Sequence, residues 1–152
     1  MSGLPCQRYG VLMVLADGPH DVTAAALAAD LATARETRVL AAVVITASGS
    51  GTTVPALRRD AAAVSGRVQP TMAARDVALT AVPLLLPSGS GGWSSRRLAR
   101  TLRLLLRRSG AEVVVLPDVP LLGIHPGELA AALPSALIAY RTATGPDALA
   151  RR

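Results

Sequence analysis

Runs of consecutive apolar residues recur along this chain, separated by amphipathic or alanine-rich stretches. The first run, Val11-Leu12-Met13-Val14-Leu15, is too short for a buried helix and fits a strand covered on both faces. An alanine-rich segment with Val22, Leu27 and Leu31 follows as far as Glu36 and predicts a helix, with Asp21 capping its first turn after Pro19. Val39 to Ala47 reads as a second buried strand, β-branched at Val43, Val44, Ile45 and Thr46. A Ser/Gly/Thr loop leads to Thr53, a helix cap with Pro55 behind it. That helix is expected over Ala56 to Val64, fraying near Gly66, because Pro70 forbids its uninterrupted continuation to Arg75. The third strand, Val77 to Leu86, carries Pro83, which cannot donate to a central ladder, so the strand is expected to lie at an edge or to be bulged there.

A Gly/Ser loop through Trp93 then opens an amphipathic helix from Ser94 or Ser95 to Ser109, stopped by Gly110. Leu98, Ala99, Leu102, Leu105 and Leu106 form one face, and Arg96, Arg100, Arg103 and Arg107 lie opposite. Glu112 to Leu116 is the clearest buried strand. A turn at Pro117-Asp118-Val119-Pro120 follows, then a short helix from Glu128 to Leu133 and a fifth strand from Ala136 to Tyr140. Residues 142–152 read as a frayed tail of a single domain spanning 1–152. The alternation predicts an α/β, Rossmann-like, doubly wound fold: a parallel five-stranded sheet in the order 3-2-1-4-5, helices on both faces. A ligand cleft is expected where the winding reverses, outside the carboxyl ends of the first and fourth strands.

Composition narrows the chemistry. The chain has 152 residues with no Phe, one Trp and two Tyr, too few aromatics for a single-strand nucleic-acid stacking platform. All sixteen basic residues are Arg, so a Lys Schiff base or a Walker-loop Lys is excluded. Cys6 is the single cysteine, which rules out an intrachain disulfide and a cysteine metal cage. Every long charge-free window is interrupted by Gly, Ser or Pro, and the first residues lack the apolar stretch of a signal peptide. A cytoplasmic protein without a membrane span is the expectation. The Arg stripe reads first as a solvated helix face, since nothing beside it marks base-edge readers.

In pattern and order the chain resembles the universal stress protein family across nearly its whole length. The resemblance rests on the opening strand ending in Asp17-Gly18, the alanine-rich helix to Arg35 and the turn Ser109-Gly110-Ala111-Glu112 before Val113-Val114-Val115-Leu116. The closing strand Ala136-Leu137-Ile138-Ala139-Tyr140 completes it. It implies a cleft at Asp17, Gly18, His20, Val44, Pro117, Asp118, Gly123 and Gly127, with Asp17 matching the acidic residue that contacts nucleotide in the family. It also implies a homodimer through the last strand, at Ala136, Leu137, Ile138, Ala139 and Tyr140, an apolar edge that invites pairing. ATP-binding members resemble one another in a Gly-x-x-Gly after the fourth strand, followed later by Gly-Ser or Gly-Thr. Here the glycine pair is Pro117 and Pro120, and the nearest later candidate is Gly127-Glu128. Proline supplies no N–H to a phosphate, and Glu128 places a carboxylate at the helix start where phosphate would rest.

The sequence therefore predicts a non-catalytic regulatory or binding module with a degenerate nucleotide pocket, no required cofactor and weak ATP binding, acting as a dimer or on a protein partner. The alternatives are an ATP-binding member acting as a slow ATPase, and a hydrolase using Asp17 and Asp118 with His20 and His125 nearby. The loop Ser90-Gly91-Gly92-Trp93-Ser94-Ser95 is similar to the phosphate loop of ATP pyrophosphatases but lacks its Asp, and is expected to be a connector.

Overall fold

Three apolar runs become the centre of one sheet in the computed structural model, which describes residues 9–47, 53–87, 95–121, 123–133, 137–141 and 147–150. In chain order the elements are β1 (Tyr9–Leu15), α1 (Asp21–Ala34), β2 (Arg38–Ala47), α2 (Val54–Ala74) and β3 (Leu79–Pro87). They continue with α3 (Ser95–Ser109), β4 (Val113–Val115), α4 (Pro126–Ala132), β5 (Leu137–Arg141) and β6 (Asp147–Ala150). The strand order is β3-β2-β1-β4-β5-β6, parallel from β3 through β5. The expected succession 3-2-1-4-5 is present, with the reversal between β1 and β4 and proline-bearing β3 at the edge, but the sheet has six strands and not the five expected, because β6 adds to β5.

Alternate residues of β1 serve opposite layers. Val11, Met13 and Leu15 pack with α1 and α2, while Leu12 and Val14 pack with α3 and α4. Both sets are buried, so the continuous apolar run is the pattern such a strand requires. Ala24, Ala25, Ala28, Ala29 and Ala32 line the inner face of α1, where small side chains let helix and sheet approach closely. At the start of β1 the register with β2 shifts between Tyr9 and Val11, and a Cβ on Gly10 would lie 2.3 Å from Thr37 Cγ2. Only glycine fits there.

Two expectations are corrected. Helix α2 does not stop near Gly66; it runs through Gly66 and Pro70 to Ala74. The proline forfeits a bond to the residue 66 carbonyl, but both positions are exposed, so water can take that carbonyl, and glycine gives the backbone room to relax. Val64, Val68 and Met72, all buried, hold the helix to the sheet across the break. The second correction concerns the tail. Residues 147–150, expected to fray, form β6, paired antiparallel with β5 from Arg141↔Asp147 to Ile138↔Ala150. Strand β5 is thus not the sheet's open edge, and the premise of pairing through that edge changes. Ala136 and the loops over 48–52 and 88–94 lie outside the described residues.

Helices α1 and α2 end alike. Glu36 and Asp76 adopt φ of +52° and +54°, and Thr37 and Val77 donate back to the carbonyls of Ala32 and Met72 at 2.9 and 3.1 Å. This is the Schellman closure, built here on acidic residues where glycine is usual. Helix α3 instead has Gly110, at φ +78°.

Candidate functional site

The turn after β1 is organised by a carboxylate that the sequence assigned a different task. His20, not Asp21, is the residue before the first helical position of α1, and its side chain makes no capping bond. Asp21 is the first helical residue, 4% exposed, and its carboxylate turns back under the turn. Its Oδ1 accepts from the N–H of Ala16 at 3.0 Å; its Oδ2 accepts from those of Asp17 at 2.9 Å and Gly18 at 3.3 Å. The Asp21 N–H donates to the Gly18 carbonyl at 3.1 Å, closing the loop. Three successive backbone N–H groups converging at a helix start form a nest that commonly receives an anion. In this chain the anion is Asp21 itself.

That arrangement pushes Asp17 outward. It sits at φ +60°, with its carboxylate in an ion pair with Arg67 of α2. Both side chains are about half exposed or more, so the pair contributes under about 1 kcal/mol to stability and serves mainly to position two charges. They flank a cleft of about 490 Å³. Strand β2 runs past the end of β1, so Val44 and Ile45 form part of the floor; Ala16 and Asp17 form one wall. Asp60, Ala63, Val64 and Arg67, spaced along one face of α2, form the other. The volume lies within the range of small-molecule sites, roughly 300–1,000 Å³. The lining is mixed, with apolar Val44, Ile45 and Val64 below two carboxylates and one guanidinium at the rim.

Of the residues expected to form the site, Asp17 and Val44 line this cleft. Gly18 and His20 belong to the adjoining turn and are half-buried. Pro117 and Asp118 follow β4, whose pairing with β1 carries both strands' carboxyl ends to the same side of the sheet. Pro117 is buried, Asp118 half-buried and Pro120 exposed. Leu121 and Ile124 exchange backbone hydrogen bonds at 2.9 Å, and Gly123, at φ +81°, is needed for that turn. Gly127 is exposed with open space where a Cβ would stand, and the same space surrounds Gly18; neither is required sterically. Helix α4 has only seven residues, begins at His125-Pro126 and carries Glu128 in its first turn. Pro126 removes one N–H from this helix end and Glu128 adds a negative charge to it.

Ala16, Ile45, Asp60, Ala63, Val64 and Arg67 were not among the residues anticipated. Arg67 escaped because the expected helix ends at Val64 and frays near Gly66, whereas Asp60 lies within that helix and only the cleft itself reveals it; α2, carried past Gly66, sets the two seven residues apart on one face. Among the described residues, no three of His, Cys, Asp and Glu gather as a metal site.

In sequence alone the chain matches no family model and no curated protein. Solved structures do match. A universal stress protein in complex with cAMP aligns over 90% of this chain and 99% of its own, with a TM-score of 0.65 at 15% identity. The fold is that of the universal stress proteins. The universal stress protein UspA from Lactobacillus plantarum covers 88% of this chain and 97% of its own, with a TM-score of 0.52 at 12% identity. The universal stress protein from Archaeoglobus fulgidus in complex with dAMP covers 72% and 81%, with a TM-score of 0.51, also at 12%. At such identities the likeness concerns the universal stress protein fold and not the side chains of the cleft. None of the described helices is long and apolar enough to cross a membrane.

Proposed function

We propose that this chain is a non-catalytic binding module whose cleft takes a nucleoside or nucleoside monophosphate and holds a triphosphate poorly. The observation that carries the reading is the pairing of an open cleft at Asp17 and Val44 with a turn whose three anion-binding N–H groups already serve Asp21. On the other side of β1, Pro117 and Pro120 withhold two further donors. A base could rest on Val44, Ile45 and Val64, and Asp17 could accept from its amino group. Arg67, once released from Asp17, offers one charge-assisted contact, suited to one phosphate and not three. Two solved structures of similar fold hold cAMP and dAMP, each with one phosphate, which agrees with the reading. No nucleophile or oriented base accompanies the cleft among the described residues, which is why a binding role is preferred to hydrolysis.

Thermal denaturation with adenosine, AMP and ATP at equal concentration tests this. Adenosine and AMP should raise the midpoint by mass action and ATP with magnesium should raise it least. Asp17→Asn should reduce the adenosine shift. A larger shift with ATP than with AMP would overturn the proposal.

We also place self-association at the β5 end of the sheet, gated by β6. The β5–β6 ladder has four paired positions and ends on Asp147, so it is short enough to be displaced by a second copy's β5. Light scattering should find the full chain monomeric at micromolar concentration and a chain ending at residue 146 dimeric. A shortened chain that stays monomeric would remove the gate.

A further inference from the structure

Helix α3 carries charge that its own stability opposes. Residues 77–111 contain six Arg and no Asp or Glu, while the rest of the chain holds ten Arg against ten acids; the formal net charge of +6 is therefore that of α3. On a helical wheel at 100° per residue, Arg96, Arg100, Arg103 and Arg107 fall within about 60°, and Arg97 and Arg108 extend the basic arc to about 140°. Leu98, Ala99 and Leu102, fully buried, occupy the opposite arc. Arg96 and Arg97 stand in the first turn, where positive charge opposes the helix dipole, and no acid offsets them. Arg96/Arg100 and Arg103/Arg107 are like-charge pairs at i, i+4. Arg103 donates to the Ala132 carbonyl at 3.3 Å, and Arg97 also has a partner within the chain. Arg96, Arg100, Arg107 and Arg108 are exposed and make no ion pair or hydrogen bond among the described residues. Within the same arc lies Leu104, 51% exposed, one of the few large apolar side chains of the described residues open to solvent.

We infer that the outer face of α3 is a docking surface for an acidic amphipathic helix of a protein partner, a surface independent of the cleft. The four aligned Arg rise along the axis in steps of about 4.5–6 Å. That spacing matches carboxylates at i, i+4, i+7 and i+11 of a facing helix, and an apolar residue between them would cover Leu104. A central apolar contact rimmed by Arg is the usual anatomy of a protein interface. A phosphate track fits less well. Leu104 has no role beside phosphates, and Thr101, the uncharged polar side chain nearest the arc, spends its Oγ1–H on the Arg97 carbonyl at 3.1 Å, leaving nothing to read a base. A bilayer would find one exposed Leu to bury, too little for an interfacial helix.

The test uses the full chain and a synthetic helical peptide bearing Glu at i, i+4, i+7 and i+11 around one Leu. The controls are a peptide of the same composition with the Glu register scrambled, a 20-base duplex DNA and phosphatidylserine vesicles. Fluorescence anisotropy at 50 and 150 mM salt reads binding to the soluble probes, and co-sedimentation reads the vesicles. The registered peptide should bind at least tenfold tighter than the scrambled one. Leu104→Ala should weaken it severalfold with an unchanged salt slope, and Arg100→Gln with Arg107→Gln should flatten that slope; circular dichroism confirms that each variant folds. Equal binding of the two peptides, no effect of Leu104→Ala, or tighter binding to DNA or vesicles would overturn the inference.

Discussion

Replacing Asp21 should show how far the β1–α1 turn depends on its internal anion. In Asp21→Ala, the N–H groups of Ala16, Asp17 and Gly18 lose their shared acceptor. Hydrogen bonds to a charged group contribute about 1.5–3 kcal/mol each, and the 3.3 Å contact to Gly18 counts for less than the two near 3.0 Å. An acid in the first turn of a helix adds about 0.3–1 kcal/mol. Allowing for partial rescue by water, the variant should lose roughly 3–5 kcal/mol, a large part of the 5–15 kcal/mol typical of a domain. Urea unfolding followed by circular dichroism measures it: the midpoint should fall with the slope unchanged. Asp21→Asn keeps one acceptor oxygen and should lose about 2 kcal/mol, which provides a folded variant should alanine prove too severe. The emptied nest should also bind inorganic phosphate or sulfate, so tens of millimolar of either should restore part of the alanine variant's stability and leave the native chain less affected. A loss under 1 kcal/mol for Asp21→Ala, without any anion rescue, would refute the reasoning.

Other predictions follow from backbone geometry and the cleft. Gly10→Ala should cost about 1–3 kcal/mol by forcing a methyl group onto the stiff Thr37 side chain, whereas Gly18→Ala, with open space at its Cβ, should stay within about 0.5 kcal/mol; chemical denaturation separates them. Glu36→Gly and Asp76→Gly should each stabilise by up to about 1 kcal/mol by relieving positive φ, and Gly110→Ala should destabilise by about the same amount. Arg67→Ala should change stability by under about 1 kcal/mol but weaken AMP more than adenosine in a binding titration.

The central strands were legible because burial on both faces leaves an unbroken apolar run, as in Val11–Leu15 and Val113–Val115, that few other structures tolerate. Pro83 then placed β3 at the edge, and the order followed from handedness. What escaped depended on tertiary context. Gly66 and Pro70 read as a break, but the buried Val64, Val68 and Met72 carry α2 through it and bring Arg67 to Asp17. The sequence marks Asp21 as a helix-start residue, yet one position decides whether its carboxylate caps the helix or closes the preceding turn. The four residues of β6 have no periodicity of their own and become a strand because β5 offers an edge. Asp17 and Val44 were found by resemblance, and Asp60 and Ile45 needed the three-dimensional cleft.

Titration calorimetry comparing ATP with magnesium against adenosine and AMP puts the central claim, a cleft without a triphosphate grip, to the most direct test. Adenosine or AMP should bind at least tenfold tighter than ATP, whose dissociation constant should exceed about 100 μM. An ATP dissociation constant below about 10 μM, equivalent to nearly 7 kcal/mol of binding, would contradict the account.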